Sequence, residues 1–194
     1  AVSFANALFF MAMVFAMGAL MAITPLVGVC MGEMNVQQEN QSAIRNKIAI
    51  LFQNGMLFTV LQSALMLLLL GGCIPFLEYF GQEPEVVAVA RPYYILIVIS
   101  LVPFLFFTFF KQFLEGLGNT LVAMIITLAM NGLNILLNWV FIYGHWGADA
   151  MGATGAGIGS LISRLGMPLC FVIAMWLHRD WKSYIQTFSW RSIR

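Results

Sequence analysis

The sequence predicts an all-α, polytopic transmembrane helix bundle with five spanning helices. Three observations carry that reading. Of 194 residues, 61% are apolar and 9% charged, whereas a soluble domain has about 45–50% and about 25%. Mean hydropathy is +0.91, which excludes disorder, since a disordered chain needs low hydrophobicity. Finally, residues 1–32, 48–77, 92–110 and 116–148 carry no charge, and 150–178 carry only Arg164. A spanning helix needs about 20 mostly apolar residues, so the five runs read as spans at about 4–30, 48–73, 93–110, 121–143 and 156–177. Backbone in lipid must satisfy its own hydrogen bonds, which makes these helices. The alternating pattern of a membrane barrel strand is absent.

Net charge is +1, from nine Lys and Arg against eight Asp and Glu. That balance gives no basic field for nucleic acid. The charges instead sort by side. Alternate loops place Arg45, Lys47, Lys111, Arg179, Lys182, Arg191 and Arg194 on one side. The other side holds Arg91 with Glu78, Glu83, Glu85 and Asp149. Basic residues mark the cytoplasm, so the first run is expected to start outside and the C-terminal tail to lie inside. Trp139, Trp146, Trp176, Trp181 and Trp190 fall near span ends or in the tail, as an aromatic belt does.

The first span opens at Ala1 with no Met and no basic stretch before it. It is too long for a signal-peptide core, and the chain reads as an internal piece of a longer protein. This span carries Met13, Met17 and Met21 at four-residue spacing, suited to adaptable surfaces. Ordinary membrane packing is the better explanation of any single one of them. Pro25, and Pro103 in the third span, are expected to bend or break their helices. Gly28 and Gly32 form a small-xxx-small pair, as do Gly155 and Gly159, and both predict close helix contact.

Between the spans, residues 75–92 read as an amphipathic outer segment. A short interfacial helix is expected to start at Gly81-Gln82-Glu83-Pro84-Glu85, with proline and acids in its first turn. Leu117-Gly118-Asn119 is a tight inner turn. Residues 144–159, rich in Gly and Ala, read as an outer loop. Their Gly152–Gly159 part lacks the Lys-Ser/Thr ending and the preceding strand of a phosphate loop. Cys30, Cys73 and Cys170 all lie inside spans with no paired spacing, which argues against a disulfide framework or a metal site.

Polar groups at membrane depth are costly and are the first place to seek function. In the fourth span Thr127, Asn131, Asn134 and Asn138 are spaced four, three and four apart, on one helical face. An amide offers donors and an acceptor without charge. Asn131, Asn134 and Asn138 are therefore candidates to hold a carboxylate of a neighbouring helix, an ion or a substrate. The competing reading is interhelical glue. Arg164 is a candidate structural or cavity charge, placed about eight residues from the outer end of its span. It would pair with an acid, line a water-filled cavity or snorkel outward. Enzyme signals are absent: His145 and His178 lie at loops, and no HExxH or GxSxG occurs. The chain reads as no enzyme and as needing no cofactor.

Several runs resemble multidrug and toxic-compound extrusion (MATE) transporters. Residues 131–144, with their three asparagines, followed by Met151-Gly-Ala-Thr-Gly-Ala-Gly157, are similar to that family's fifth and sixth helices. Residues 18–32 followed by Glu33-Met-Asn resemble its second helix and the turn after it. Gly81-Gln-Glu-Pro84-Glu85-Val and Tyr93-Tyr94 resemble its outer segment before helix four. Phe113-Leu-Glu-Gly116-Leu-Gly118-Asn-Thr120 resembles the inner turn L-x-G-x-G-[DN]-T. The resemblance implies that residues 1–194 are an incomplete N-terminal lobe, helices two to six of a twelve-helix protein. It implies Asn134 and Asn138 in a cation or proton network, with a first-helix carboxylate preceding Ala1 and a second lobe following Arg194.

The expected function is then secondary-active export of organic, cationic compounds, coupled to inward H⁺ or Na⁺. Its expected partners are the lipid bilayer, such substrates and the remainder of the same chain, in a bacterial cytoplasmic membrane. The rivals are a lipid-linked oligosaccharide flippase of the same superfamily, which should show a larger basic lining than Arg164 alone, and a non-transporting membrane scaffold.

Overall fold

In the computed structural model, which describes residues 2–36, 40–72, 84–147 and 149–177, the first apolar run is two helices. These are α1 (Val2–Leu20) and α2 (Ile23–Val36), with a turn at Met21 and Ala22 between them. The break expected of Pro25 in this span is found here, and that proline gives the reason. It has no N–H for the Met21 carbonyl, and its ring crowds that carbonyl. The ladder is carried across the turn by Met21 N–H to Met17 O at 3.0 Å, then by a stretched Leu26 N–H to Ala22 O at 3.4 Å. Together the two pieces still make one crossing, Phe9–Val36.

The chain continues through α3 (Gln41–Gly72), α4 (Pro84–Gly116), α5 (Thr120–Tyr143) and α6 (Gly152–Leu177). With α1 and α2 counted as one crossing, five candidate spans result. The fold is the all-α membrane bundle that the composition predicts. Apolar side chains such as Phe10, Met11, Phe15, Leu68, Ile135 and Leu169 point outward, an arrangement suited to lipid and not to water.

α4 is the axis of the bundle and packs against each of the other five helices. Within its apolar window 61% of residues are buried, against 6% for α5. Tyr94, Leu101, Leu105, Phe109, Phe113 and Leu114 of α4 are almost fully buried. Phe52 of α3 packs edge-on to Phe113, with ring centroids 4.9 Å apart, and tilts against Phe109 at 5.3 Å. The short separate interfacial helix expected before the third span is not separate. α4 starts at Pro84, with that proline in its first turn as expected, and runs on through Pro92 and Pro103 to Gly116. Neighbouring helices compensate for prolines in a membrane helix more readily than water does. Residues 75–83 lie outside the described residues.

The inner turn explains its own sequence. Asn119 N–H bonds Leu114 O, and Gly118 N–H bonds Glu115 O, each at 3.0 Å. This is a Schellman closure of α4, with Gly118 at φ +84° in the left-handed position that glycine takes without steric cost. Asn119 then caps α5, its side chain accepting from Val122 N–H at 3.2 Å. Gly116 fits because α2 crosses directly over it: a Cβ there would stand 2.7 Å from Val27 Cβ and 3.0 Å from Thr24 O. Thr24 Oγ1 donates to the Gln112 carbonyl at 3.0 Å, fastening the two helices at the same level.

At the other end the expected loop over 144–159 is shorter. Gly144, at φ +74°, closes α5 through its N–H to Val140 O, and α6 begins at Gly152. Gly155 and Gly159 are therefore helical and let α6 lie against the α5 backbone. A Cβ on Gly155 would come 2.3 Å from Phe141 O. Gly28 and Gly32 make no matching contact among the described residues, where a Cβ on either meets nothing within 4 Å. Cys30 and Cys170 are free thiols. Cys73, His178, Trp181 and Trp190 lie outside the described residues.

Candidate functional site

The asparagine stripe divides on folding. Asn138 Nδ2 donates to Asn134 Oδ1 at 3.2 Å, joining two side chains one turn apart on α5. Asn138 Oδ1 is buried and has no hydrogen-bond partner among the described residues. It lies against α6, where a Cβ on Gly159 would stand only 2.7 Å from it. The sequence thus builds a buried acceptor by pairing an amide with a glycine across the helix contact. The paired amides leave the Asn134 N–H donors and the Asn138 carbonyl oxygen to a third group. Such donors suit a carboxylate by their chemistry, and such an oxygen suits a protonated acid or a cation.

Asn131 is exposed and lies outside this pair. Thr127 returns its hydroxyl to Ala123 O at 2.7 Å and lines a separate cleft of about 440 Å³ beside Lys111, Glu115 and Thr120. Met13 and Met17 are half-buried and Met21 exposed, so the methionine row faces no single chamber.

Arg164 stands deeper than expected. Because α6 begins at Gly152, Arg164 is the thirteenth of its 26 residues. It does not snorkel: Nη1 donates to Ser100 Oγ of α4 at 2.7 Å. Its guanidinium carbon lies 5.2 Å from the ring centre of Phe9 on α1 and 5.1 Å from that of Phe104 on α4. Among the described residues no carboxylate is within ion-pair distance of it.

Sequence reasoning passed over α3, whose Gln53, Thr59, Gln62 and Ser63 are all buried. Gln62 Nε2 donates to Ala16 O of α1 at 3.0 Å, and its Oε1 has no partner among the described residues. Thr59 and Ser63 satisfy their hydroxyls on the carbonyls one turn back, Gly55 and Thr59. The rule that singled out α5, polar residues in a charge-free run, applies to these as well.

Comparison with known proteins identifies the family of the chain. A family model for MatE matches residues 1–140. The chain belongs to the MatE family. Among similar proteins is the multidrug resistance protein NorM of Photobacterium profundum, 31% identical over 162 residues, covering 84% of this chain and 34% of that protein. The NorM multidrug resistance protein of Vibrio parahaemolyticus is 34% identical over 166 residues, with 84% and 34% covered. A solved structure described as an inward-facing conformation of a multidrug resistance MATE family transporter of the MOP superfamily matches 100% of this chain and 42% of its own, at TM-score 0.68 and 20% identity. That likeness is one of fold. The chain spans about a third of the length of these curated relatives. MatE proteins are transporters, so the expectation of a chain that is no enzyme agrees with its family.

Proposed function

We propose that this MatE chain supplies part of a secondary-active exporter of organic, cationic compounds, driven by inward movement of H⁺ or Na⁺. The observation that carries the reading is the Asn134–Asn138 pair with its unpartnered oxygen buried against Gly159. The names of the NorM relatives support the export of drugs. In this mechanism a carboxylate on a helix preceding Ala1 alternates between coupling ion and drug. When it is ionised, the Asn134 N–H groups hold its charge and lower its pKa. When it is protonated, the Asn138 amide rotates off Gly159 and its Oδ1 accepts the acid's hydrogen. The amide pair thereby exchanges one bonding pattern for another as the ion enters and the drug leaves. Broken helices such as α1 and α2 suit the bending that alternating access requires.

The end of the bundle bearing Arg45, Lys47 and Lys111 faces the cytoplasm on this reading, as does the C-terminal tail. Cysteine labelling of the intact protein should find residues 81–85 and 147–151 accessible from outside, and 34–41 only after permeabilisation. The export reading is tested by loading proteoliposomes with a fluorescent organic cation and imposing H⁺ or Na⁺ gradients separately. Efflux driven by either gradient is expected. No response to either would overturn the reading.

A further inference from the structure

We propose that Arg164 is the anchor of a carboxylate-binding site at mid-membrane depth, walled by Phe9 and Phe104. A guanidinium has five N–H donors in a planar fork that matches a carboxylate. Among the described residues, one such donor is given to Ser100 Oγ. Ser100 is fully buried and gives its own hydrogen to Ile97 O at 2.7 Å, so its oxygen accepts from Arg164 and fixes the orientation of the fork. The two ring faces stabilise the cation without neutralising it. An uncompensated charge at the centre of a membrane helix is expensive, and it is retained where it binds or pairs with something. Among the described residues no acid does this. Arg164 is half-buried, and its fork keeps N–H donors beyond the one given to Ser100. Ring faces are electronegative and stack on the cation, so an acid meets the fork edge-on in the guanidinium plane, and its carboxylate comes either from a bound aromatic compound or from a side chain outside the described residues.

The inference does not depend on which compounds the protein exports, and its test involves no transport, so its failure would leave the export reading standing. Benzoate, with benzylamine as a cationic control, is titrated calorimetrically into the intact protein in nanodiscs of zwitterionic lipid. Melting temperature is recorded alongside for wild type, Arg164→Gln and Arg164→Lys. A ligand site is expected to bind benzoate saturably and to lose at least tenfold in affinity in Arg164→Gln, with benzylamine unaffected. An internal acid would give no benzoate binding, a lower melting temperature in Arg164→Gln, and recovery in Arg164→Lys. Either pattern upholds the carboxylate site and names its source. Any other pattern overturns it, including equal melting of all three proteins without benzoate binding, or equal destabilisation by both substitutions.

Discussion

Gly28 and Gly32 on α2 have the same spacing as Gly155 and Gly159 on α6, and opposite surroundings. A Cβ on either glycine of the first pair meets nothing within 4 Å, whereas one on Gly155 or Gly159 strikes Phe141 O or Asn138 Oδ1. The α6 pair is what brings two helices close enough to bury the Asn138 oxygen. The α2 pair leaves an open strip on a helix already interrupted at Met21 and Ala22. Spacing therefore states where a close approach is permitted. The residues on the facing helix decide whether it occurs, and whether it carries a polar group into the contact.

Substitutions sharpen that contrast, from the largest expected effect downward. Gly155→Leu forces carbons onto a backbone carbonyl that cannot rotate away. It should cost about 3 kcal/mol, the upper part of the overpacking range, seen as lost folded yield or a lower melting temperature in the intact protein. Gly116→Ala strikes Val27 Cβ at 2.7 Å and should cost about 1–2 kcal/mol by the same measurement. Gly159→Ala meets the movable Asn138 amide. A smaller loss of stability is expected, together with a displaced pH profile of efflux as the amide pair is pushed apart. Gly28→Ala should be neutral or stabilising by up to about 1 kcal/mol, since alanine loses less freedom in a helix than glycine. A clear destabilisation by Gly28→Ala would erase the difference between the two regions.

The spans were legible because lipid admits little besides long apolar helices, and charge-free runs mark them directly. The amphipathic signal at Pro84 was read correctly as a helix start, but not its continuity with the third span, because Pro92 looks like a boundary when tertiary support is invisible. Residues 152–159 looked like a loop because glycine weakens a helix in water. Against α5 the same glycines create the contact, and that misreading placed Arg164 too near the outer end. The pairing of Asn134 with Asn138 follows from four-residue spacing, but the burial of one oxygen depends on Gly159, far away in sequence. Ser100, Phe9 and Phe104 around Arg164 come from two other helices, and no local pattern announces them.

The central claim is that the Asn134–Asn138 pair serves coupling more than folding, and Asn134→Ala tests it most directly. Polar contacts between membrane helices average about 0.6 kcal/mol, so the intact variant should melt close to wild type. The same substitution removes an amide that stabilises the ionised acid, so the pKa of that acid should rise. Ion-driven efflux in proteoliposomes, measured across pH beside the melting temperature, should then show a near-normal melt with weakened transport or an optimum moved to higher pH. Normal efflux at every pH, or activity lost only in step with folding, would contradict the account and leave the asparagines as helix glue.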